Sequence, residues 1–230
     1  MRLLLLAAMR APTNSKQVPT LEEEVALLSQ GYSFIAGVDE AGRGSLAGPV
    51  VAAAVILPFR FDPDECMACF AGVRDSKQLT ARERERLFEV IMQHALAVGV
   101  GIGSVEMIDE RNILQATKYA MRDALAQLAI PPQALLLDAI HLPDIDILQR
   151  SIIKGDALCL SIAAASIIAK VTRDRIMIQL HEHYSAYGFA QHKGYGTENH
   201  LAALREHGAT PHHRRSFAPV RELSGLFTEL

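Results

Sequence analysis

A chain of 230 residues, 50% hydrophobic and 21% charged, has the balance of a globular protein with a substantial core, and its length suits one large domain or a domain with an appendage. That apolar content excludes disorder as the main state, because burial can offset chain entropy. A net charge of −3 excludes a global pull toward nucleic acid or anionic membrane, so any polyanion partner must be held by a local patch.

From the N-terminus, Met1-Arg2 and the apolar run Leu3 to Met9 imitate a signal peptide, but the run is short and Arg10 interrupts it. No stretch approaches the roughly 18 apolar residues of a membrane span. Residues 1–32 are expected to be a leader, partly disordered or carrying a short helix, with Thr20 and Glu23 forming a capping box. Phe34, Ile35 and Val38 lead a strand into Asp39-Glu40 and the Gly42-Arg43-Gly44 turn. Pro49 to Leu57 is a nearly continuous apolar strand, as expected when both faces are buried.

Cys66, Cys69 and Cys159 are an odd count without a disulfide framework, which points to a reducing, cytoplasmic setting. Cys66 and Cys69 lack the second pair that a zinc site needs and read as packing residues. After Asp75-Ser76-Lys77, Thr80 and Glu83 form a second capping box for a helix carrying Leu87, Val90, Ile91 and Leu96. Val98 to Val105 reads as a glycine-punctuated strand and Met107 to Leu128 as a long helix. Ala134 to Asp138 is a buried strand ending in an acid, Ile152 to Asp156 a strand end or turn, and Leu160 to Leu180 a helix rich in Ala and Ile. Beyond Pro211, Phe217, Val220, Leu223, Leu226 and Phe227 supply apolar residues for a terminal helix. This order argues for an α/β architecture around a mixed sheet, with functional groups gathered at strand ends.

Asp39 and Glu40, Asp138, and Asp156 each follow an apolar stretch. One such acid is easily a cap or a turn residue. Four converging would repel and raise one another's pKa values, a cost that divalent cations relieve. Oxygen donors without a His or Cys cluster suit Mg²⁺ or Mn²⁺ rather than zinc. Successive strand residues face opposite ways, so Glu40 joins Asp39 only if the chain bends at Ala41-Gly42. Gly42-Arg43-Gly44 precedes a strand rather than a helix, unlike a dinucleotide fingerprint. It is either a tight turn or a close backbone approach to a ligand, with Arg43 supplying charge to a phosphate.

Between Lys154 and Arg215 lie eight Lys/Arg and five Asp/Glu, which makes the second half the expected polyanion face. Tyr195, between Gly194 and Gly196, either packs or stacks on a sugar or base. Seven histidines fall between His181 and His213, none paired with cysteines as zinc requires. At this level a metal-dependent nuclease of the resolvase or transposase kind and a non-catalytic hybrid-binding module both remain open. Four intact acids weigh against a pure binder of polyanions.

Gly37 to Gly44, Gly48-Pro49-Val50, Asp75-Ser76-Lys77, Leu137-Asp138, Lys154-Gly155-Asp156, Ala165 to Asp174, Lys193-Gly194-Tyr195 and His213 to Phe217 together resemble ribonuclease HII, over roughly residues 33–222. The resemblance implies a ribonuclease H-like mixed central sheet flanked by helices, with a catalytic domain over 33–192. A C-terminal helical extension over 193–230 would contribute to substrate binding. It implies an endonuclease that cuts the RNA strand of RNA–DNA hybrids and incises 5′ of single ribonucleotides in duplex DNA, leaving 3′-hydroxyl and 5′-phosphate ends. By the same resemblance Asp39, Glu40, Asp138 and Asp156 are the catalytic, metal-binding carboxylates, working with two Mg²⁺ or Mn²⁺ ions. Gly42, Arg43 and Gly44 would read the 2′-hydroxyl, and Tyr195 would pack on the sugar at the DNA side of the junction. Lys77, Lys170 and Arg214 are assigned to phosphates or to supporting these groups. The expected state is a monomer, and the tail residues Leu226-Phe227 are a candidate contact for a sliding clamp.

Overall fold

The computed structural model describes residues 18–225; the apolar leader from Met1 to Arg10 and the Leu226-Phe227 segment lie outside the described residues. In chain order the first elements are α1 (Glu22–Leu28), β1 (Ile35–Ala41), β2 (Val50–Ile56), α2 (Pro63–Cys69), α3 (Ala81–His94) and β3 (Ala97–Gly103). There follow α4 (Val105–Ala126), β4 (Ala134–Asp138), β5 (Leu148–Ile152), α5 (Gly155–Leu158) and α6 (Leu160–His183). The C-terminal part adds α7 (Phe189–His192), α8 (Glu198–His207) and α9 (Ala218–Gly225).

The five strands form one sheet in the order β3-β2-β1-β4-β5. β1, β2 and β3 are joined antiparallel, while β4 runs parallel to both β1 and β5. All of β2 is buried, because its two faces serve two cores. Ala53 and Val55 pack with Ile35, Leu136 and the apolar face of α6. Ala52, Ala54 and Ile56 pack with Ala36, Val38, Leu137 and α4. The glycines of β3 have a packing cause: a Cβ at Gly99 or Gly101 would overlap the α4 carbonyls of Ala124 or Ala120. On the other face, a Cβ at Gly37 would overlap the backbone of Ser161 in α6. Both helices therefore lie closer to the sheet than any side chain allows.

The Thr80–Glu83 capping box forms with both of its bonds, at 3.2 and 2.8 Å. The Thr20–Glu23 box does not form. The Thr20 amide instead donates to Leu158 O at 2.9 Å, its hydroxyl accepts from Glu22 N at 3.4 Å, and Glu23 meets Arg150 at 2.7 Å. Neighbouring Glu24 is buried and accepts hydrogen bonds from the Ser161 N–H and hydroxyl at 3.0 and 2.7 Å. It thereby satisfies an amide at the start of α6 that the helix itself cannot. The long helix α4 is interrupted at Asn112, whose φ is 69° and whose side chain caps the following turn through Leu114 and Gln115. Cys66 and Cys159 are buried free thiols, the first pushed up to about 12 by burial, which suits inert packing. Among the described residues no helix is long and apolar enough to cross a membrane.

Candidate active site

The register of β1 decides which acids meet. Asp39 pairs across the sheet with Ala53 and Glu40 with Ala52. Ala53 belongs to the α6-side core and Ala52 to the α4-side core, so Asp39 faces α6 and Glu40 the other way. Both acids lie inside the strand, which runs three residues beyond Val38, to Ala41. Asp138 closes the parallel neighbour β4 on the same side as Leu136. Asp156 comes from the short helix α5, which opens after Lys154 in the left-handed region at φ 59°. Carboxylate oxygens of Asp39, Asp138 and Asp156 lie within 4.8 Å of one another. Glu40 is not in this cluster; its Oε1 accepts from Arg43 Nη1 at 3.1 Å.

The cluster is costly as it stands. Asp39 and Asp156 are each only 5% exposed. Burial, then the charge of Glu40, hold the Asp39 carboxyl well above the usual carboxylate range. Burial also raises Asp138, partly opposed by the Gly155 amide that donates to its Oδ1 at 2.9 Å. Glu40 is raised by burial against the opposing pull of Arg43, and its Oε2 is buried without a hydrogen-bond partner. Lys77 donates to Asp156 Oδ2 at 3.0 Å and supplies the cluster's nearest positive charge. Three converged carboxylates, one orphaned buried oxygen and a purely oxygen donor set fit a hard divalent cation.

Asp39, Glu40 and Asp138 open onto a cleft of about 210 Å³ lined also by Gly42, Arg43, Gly44, Ser76, Lys77, Lys170 and Tyr195. Two buried arginines build the turn at its edge. Arg214 donates from Nη2 to Gly42 O and Gly48 O, from Nη1 to Arg43 O, and from Nε to Gly48 O, at 2.7–3.0 Å. Arg173 donates to the carbonyls of Pro49, Lys193 and Ala47 and to Ser45 Oγ. Both guanidinium groups are fully buried. Arg214 therefore cannot contact a phosphate; it shapes the turn. A Cβ at Gly42, where φ is 96°, would overlap the Arg173 side chain, whereas Gly44 has open space on that side.

Lys170 donates to Asp174 at 2.7 Å and lies 5.9 Å from the Tyr195 ring centre. Tyr195 is 39% exposed at the rim, with the Arg173 guanidinium 5.6 Å from its ring centre. The structure thus gathers the predicted residues around one cleft, Glu40 among its walls, except that Arg214 stands behind it and Asp156 meets it through Lys77 and the other acids. Two of the eight cations counted toward a basic face, Arg173 and Arg214, are interior. Sequence reasoning missed Arg173, which looks like one more helix cation between Thr172 and Asp174.

Comparison with known proteins decides the family. The Ribonuclease HII family pattern matches residues 36–220. The chain belongs to the ribonuclease HII family. Ribonuclease HII of Bacillus cereus (strain Q1) is 56% identical over 200 residues, spanning 87% of this chain and 75% of that protein. Among solved structures, the ribonuclease H2 from Pyrococcus horikoshii OT3 superposes with a TM-score of 0.71 at 29% identity, over 86% of this chain and all of that one. The PCNA:RNase HII complex from Archaeoglobus fulgidus gives 0.66 at 28% identity, over 81% of this chain and 96% of that one. The chain is thus a ribonuclease H, a hydrolase of RNA–DNA substrates that requires a divalent metal, and its mixed sheet flanked by helices is the ribonuclease HII fold.

Proposed function

We propose that this ribonuclease HII incises the phosphodiester on the 5′ side of a ribonucleotide, including a single one within duplex DNA, leaving a 3′-hydroxyl and a 5′-phosphate. The observation that carries the reading is one arrangement: Asp39, Asp138 and Asp156 converge within 4.8 Å, and Asp39 and Asp138 open onto a cleft that has the Gly42–Gly44 turn and Tyr195 among its walls. Asp39, Asp138, Asp156 and Glu40 are the residues that would hold two Mg²⁺ or Mn²⁺ ions. Such ions supply an activated water and stabilise the leaving 3′-oxygen.

The chain's own groups do the rest. Lys77, 77% exposed at its side chain and paired with Asp156, places a positive charge where the phosphate enters. The buried Arg214 guanidinium draws the carbonyls of Gly42 and Arg43 inward, and the amides of Arg43 and Gly44 would be the turn's donors to the substrate. The open side of Gly44 lets a sugar–phosphate backbone approach those donors. Arg43 offers charge to a phosphate once Glu40 turns to another cation. Tyr195 packs on the sugar of the next nucleotide and, through its hydroxyl, senses the 2′-hydroxyl that separates RNA from DNA. Lys170 supports this ring beside the downstream backbone. The extension over 193–230 contributes Tyr195 and Arg214 to the site.

The Archaeoglobus relative was solved in complex with PCNA, which supports a sliding-clamp contact; the Leu226-Phe227 tail is proposed as its docking segment, and a cytoplasmic monomer as the working form. The test of the reading is cleavage by variants. Asp138→Asn should lose about 10³-fold or more in kcat while melting as a folded protein. Tyr195→Phe should lose modestly and Tyr195→Ala more, on a duplex with one ribonucleotide. Near-normal cleavage by Asp138→Asn removes that acid from the site, and equal rates for all three forms at Tyr195 remove the ring.

A further inference from the structure

The tyrosine loop is held from behind by three histidines that the catalytic reading does not use. His200 and His213 are buried. The Thr210 amide donates to His213 Nδ1 at 3.0 Å, and the Thr210 hydroxyl, which can donate or accept, lies 2.8 Å from the same nitrogen; an amide can only donate, so that nitrogen carries a lone pair. In a neutral ring the proton must then sit on His213 Nε2. His213 Nε2 is 3.0 Å from His200 Nε2, a contact that needs one proton and one lone pair. His200 Nε2 is therefore the acceptor, and its proton sits on Nδ1, which donates to the Tyr195 carbonyl at 2.9 Å. A second proton on either ring would set two N–H groups against each other or against an amide. Burial among Phe189 and Tyr187 pushes His200 down to about 4 and His213 to about 3, which keeps both rings neutral.

His192 completes the loop's support. Its Nε2 meets the Tyr187 carbonyl, so that nitrogen bears the proton, and its Nδ1 accepts from the Gly194 amide at 3.2 Å. Its ring stacks on that of His200 at 4.5 Å. The Gly194 carbonyl accepts from Leu46 N at 2.8 Å, and Arg214 N donates to Leu46 O at 2.8 Å. Tyr195 and the Gly42–Gly44 turn are thus tied to one frame.

We propose that His200 and His213 are positioning residues whose single permitted pair of tautomers fixes the Tyr195 ring at the ribonucleotide, so that a specificity element depends on a proton order set at Thr210. The inference rests on the reading of Tyr195 given above. It concerns placement of the ring, and the two histidines touch neither substrate nor metal-binding acids.

Asparagine and glutamine separate the two ring nitrogens of His200. His200→Asn keeps a donor where Nδ1 stands, toward Tyr195; His200→Gln keeps a polar group where Nε2 stands and loses that donor. On a duplex with one ribonucleotide, His200→Gln should lose about tenfold in kcat with KM within about twofold, and His200→Asn should recover most of it. In a Tyr195→Ala background, His200→Gln should cost nothing further, since the histidine acts through the ring. Long-range ¹H–¹⁵N spectra of the unsubstituted enzyme give a second readout, independent of whether the variants fold. They should show His200 protonated on Nδ1, and His213 and His192 on Nε2. An Nε2-protonated His200, an unaltered kcat in His200→Gln, or an undiminished effect in the Tyr195→Ala background overturns the inference. If Tyr195→Ala itself cleaves normally, the reading of Tyr195 fails first and takes the inference with it.

Discussion

Replacing Asp39 with asparagine should make the metal-free protein more stable while abolishing its chemistry. Asp39 is nearly fully buried beside two other carboxylates, and its carboxyl is held well above the ordinary range. In the unfolded chain the group ionises near pH 3.9. A raised carboxyl in the folded state binds protons more tightly than the unfolded one. Its stabilising contribution is therefore fully present below about pH 4 and is lost as pH rises through the folded pKa. At neutral pH the folded protein carries that loss, and a tenfold tighter hold on the proton corresponds to about 1.4 kcal/mol.

Asparagine keeps the shape and removes the ionisation. Allowing for relaxation, Asp39→Asn should gain about 1–3 kcal/mol in chelator at neutral pH. For a domain of this size that is roughly 3–10 °C in Tm. Near pH 4 the gain should vanish. Saturating Mg²⁺ should stabilise the wild-type chain by about 2–3 kcal/mol, as expected at a hundredfold excess over Kd, and leave the variant unmoved. Thermal melts of both proteins, with chelator and with Mg²⁺ at two pH values, measure all four quantities. A variant less stable than wild type in chelator, or one still stabilised by Mg²⁺, refutes the reasoning.

Two further substitutions separate the site from its scaffold. Arg214→Lys keeps the charge but cannot reach the Gly42, Arg43 and Gly48 carbonyls together; it should cost about 3 kcal/mol in a denaturant melt and slow cleavage of a lone ribonucleotide more than of a long hybrid. A loss below about 1 kcal/mol contradicts this role of Arg214 in holding the turn. Gly101→Ala drives a methyl against the Ala120 carbonyl; it should cost about 2 kcal/mol or more with cleavage per folded molecule within about twofold of normal, and a neutral melt would show that α4 can retreat.

Much of the architecture is legible in local pattern. β2 is a continuous apolar run because both its faces are covered. The Thr80–Glu83 box forms from groups three residues apart, with Arg74 on the other Glu83 oxygen. Thr20 and Glu23 carry the same signature, yet the Leu158 carbonyl takes the Thr20 amide and Arg150 takes Glu23. Local spacing cannot see partners more than a hundred residues away. The start of α2 carries a local signature of its own: Asp62 caps Asp64 and Glu65, with Pro63 at the first helical position. At the site, the strand ends pointed to the acids, and the alternation of β1 warned that Asp39 and Glu40 diverge, as they do. Arg173, His200 and His213 were out of reach. Their chemistry lies in bonds to backbone groups of other segments, and a buried arginine in a helix has the same spacing as an exposed one.

Cleavage of a labelled DNA duplex carrying one ribonucleotide, beside all-DNA and RNA–DNA hybrid duplexes, with Mg²⁺ and with chelator, puts the proposed chemistry to its sharpest trial. The expected result is Mg²⁺-dependent incision on the 5′ side of the ribonucleotide, cutting of the hybrid, and an intact all-DNA duplex. Cutting only the hybrid contradicts the role given to the Gly42–Gly44 turn and Tyr195, and equal cutting of the all-DNA duplex contradicts any reading of the 2′-hydroxyl.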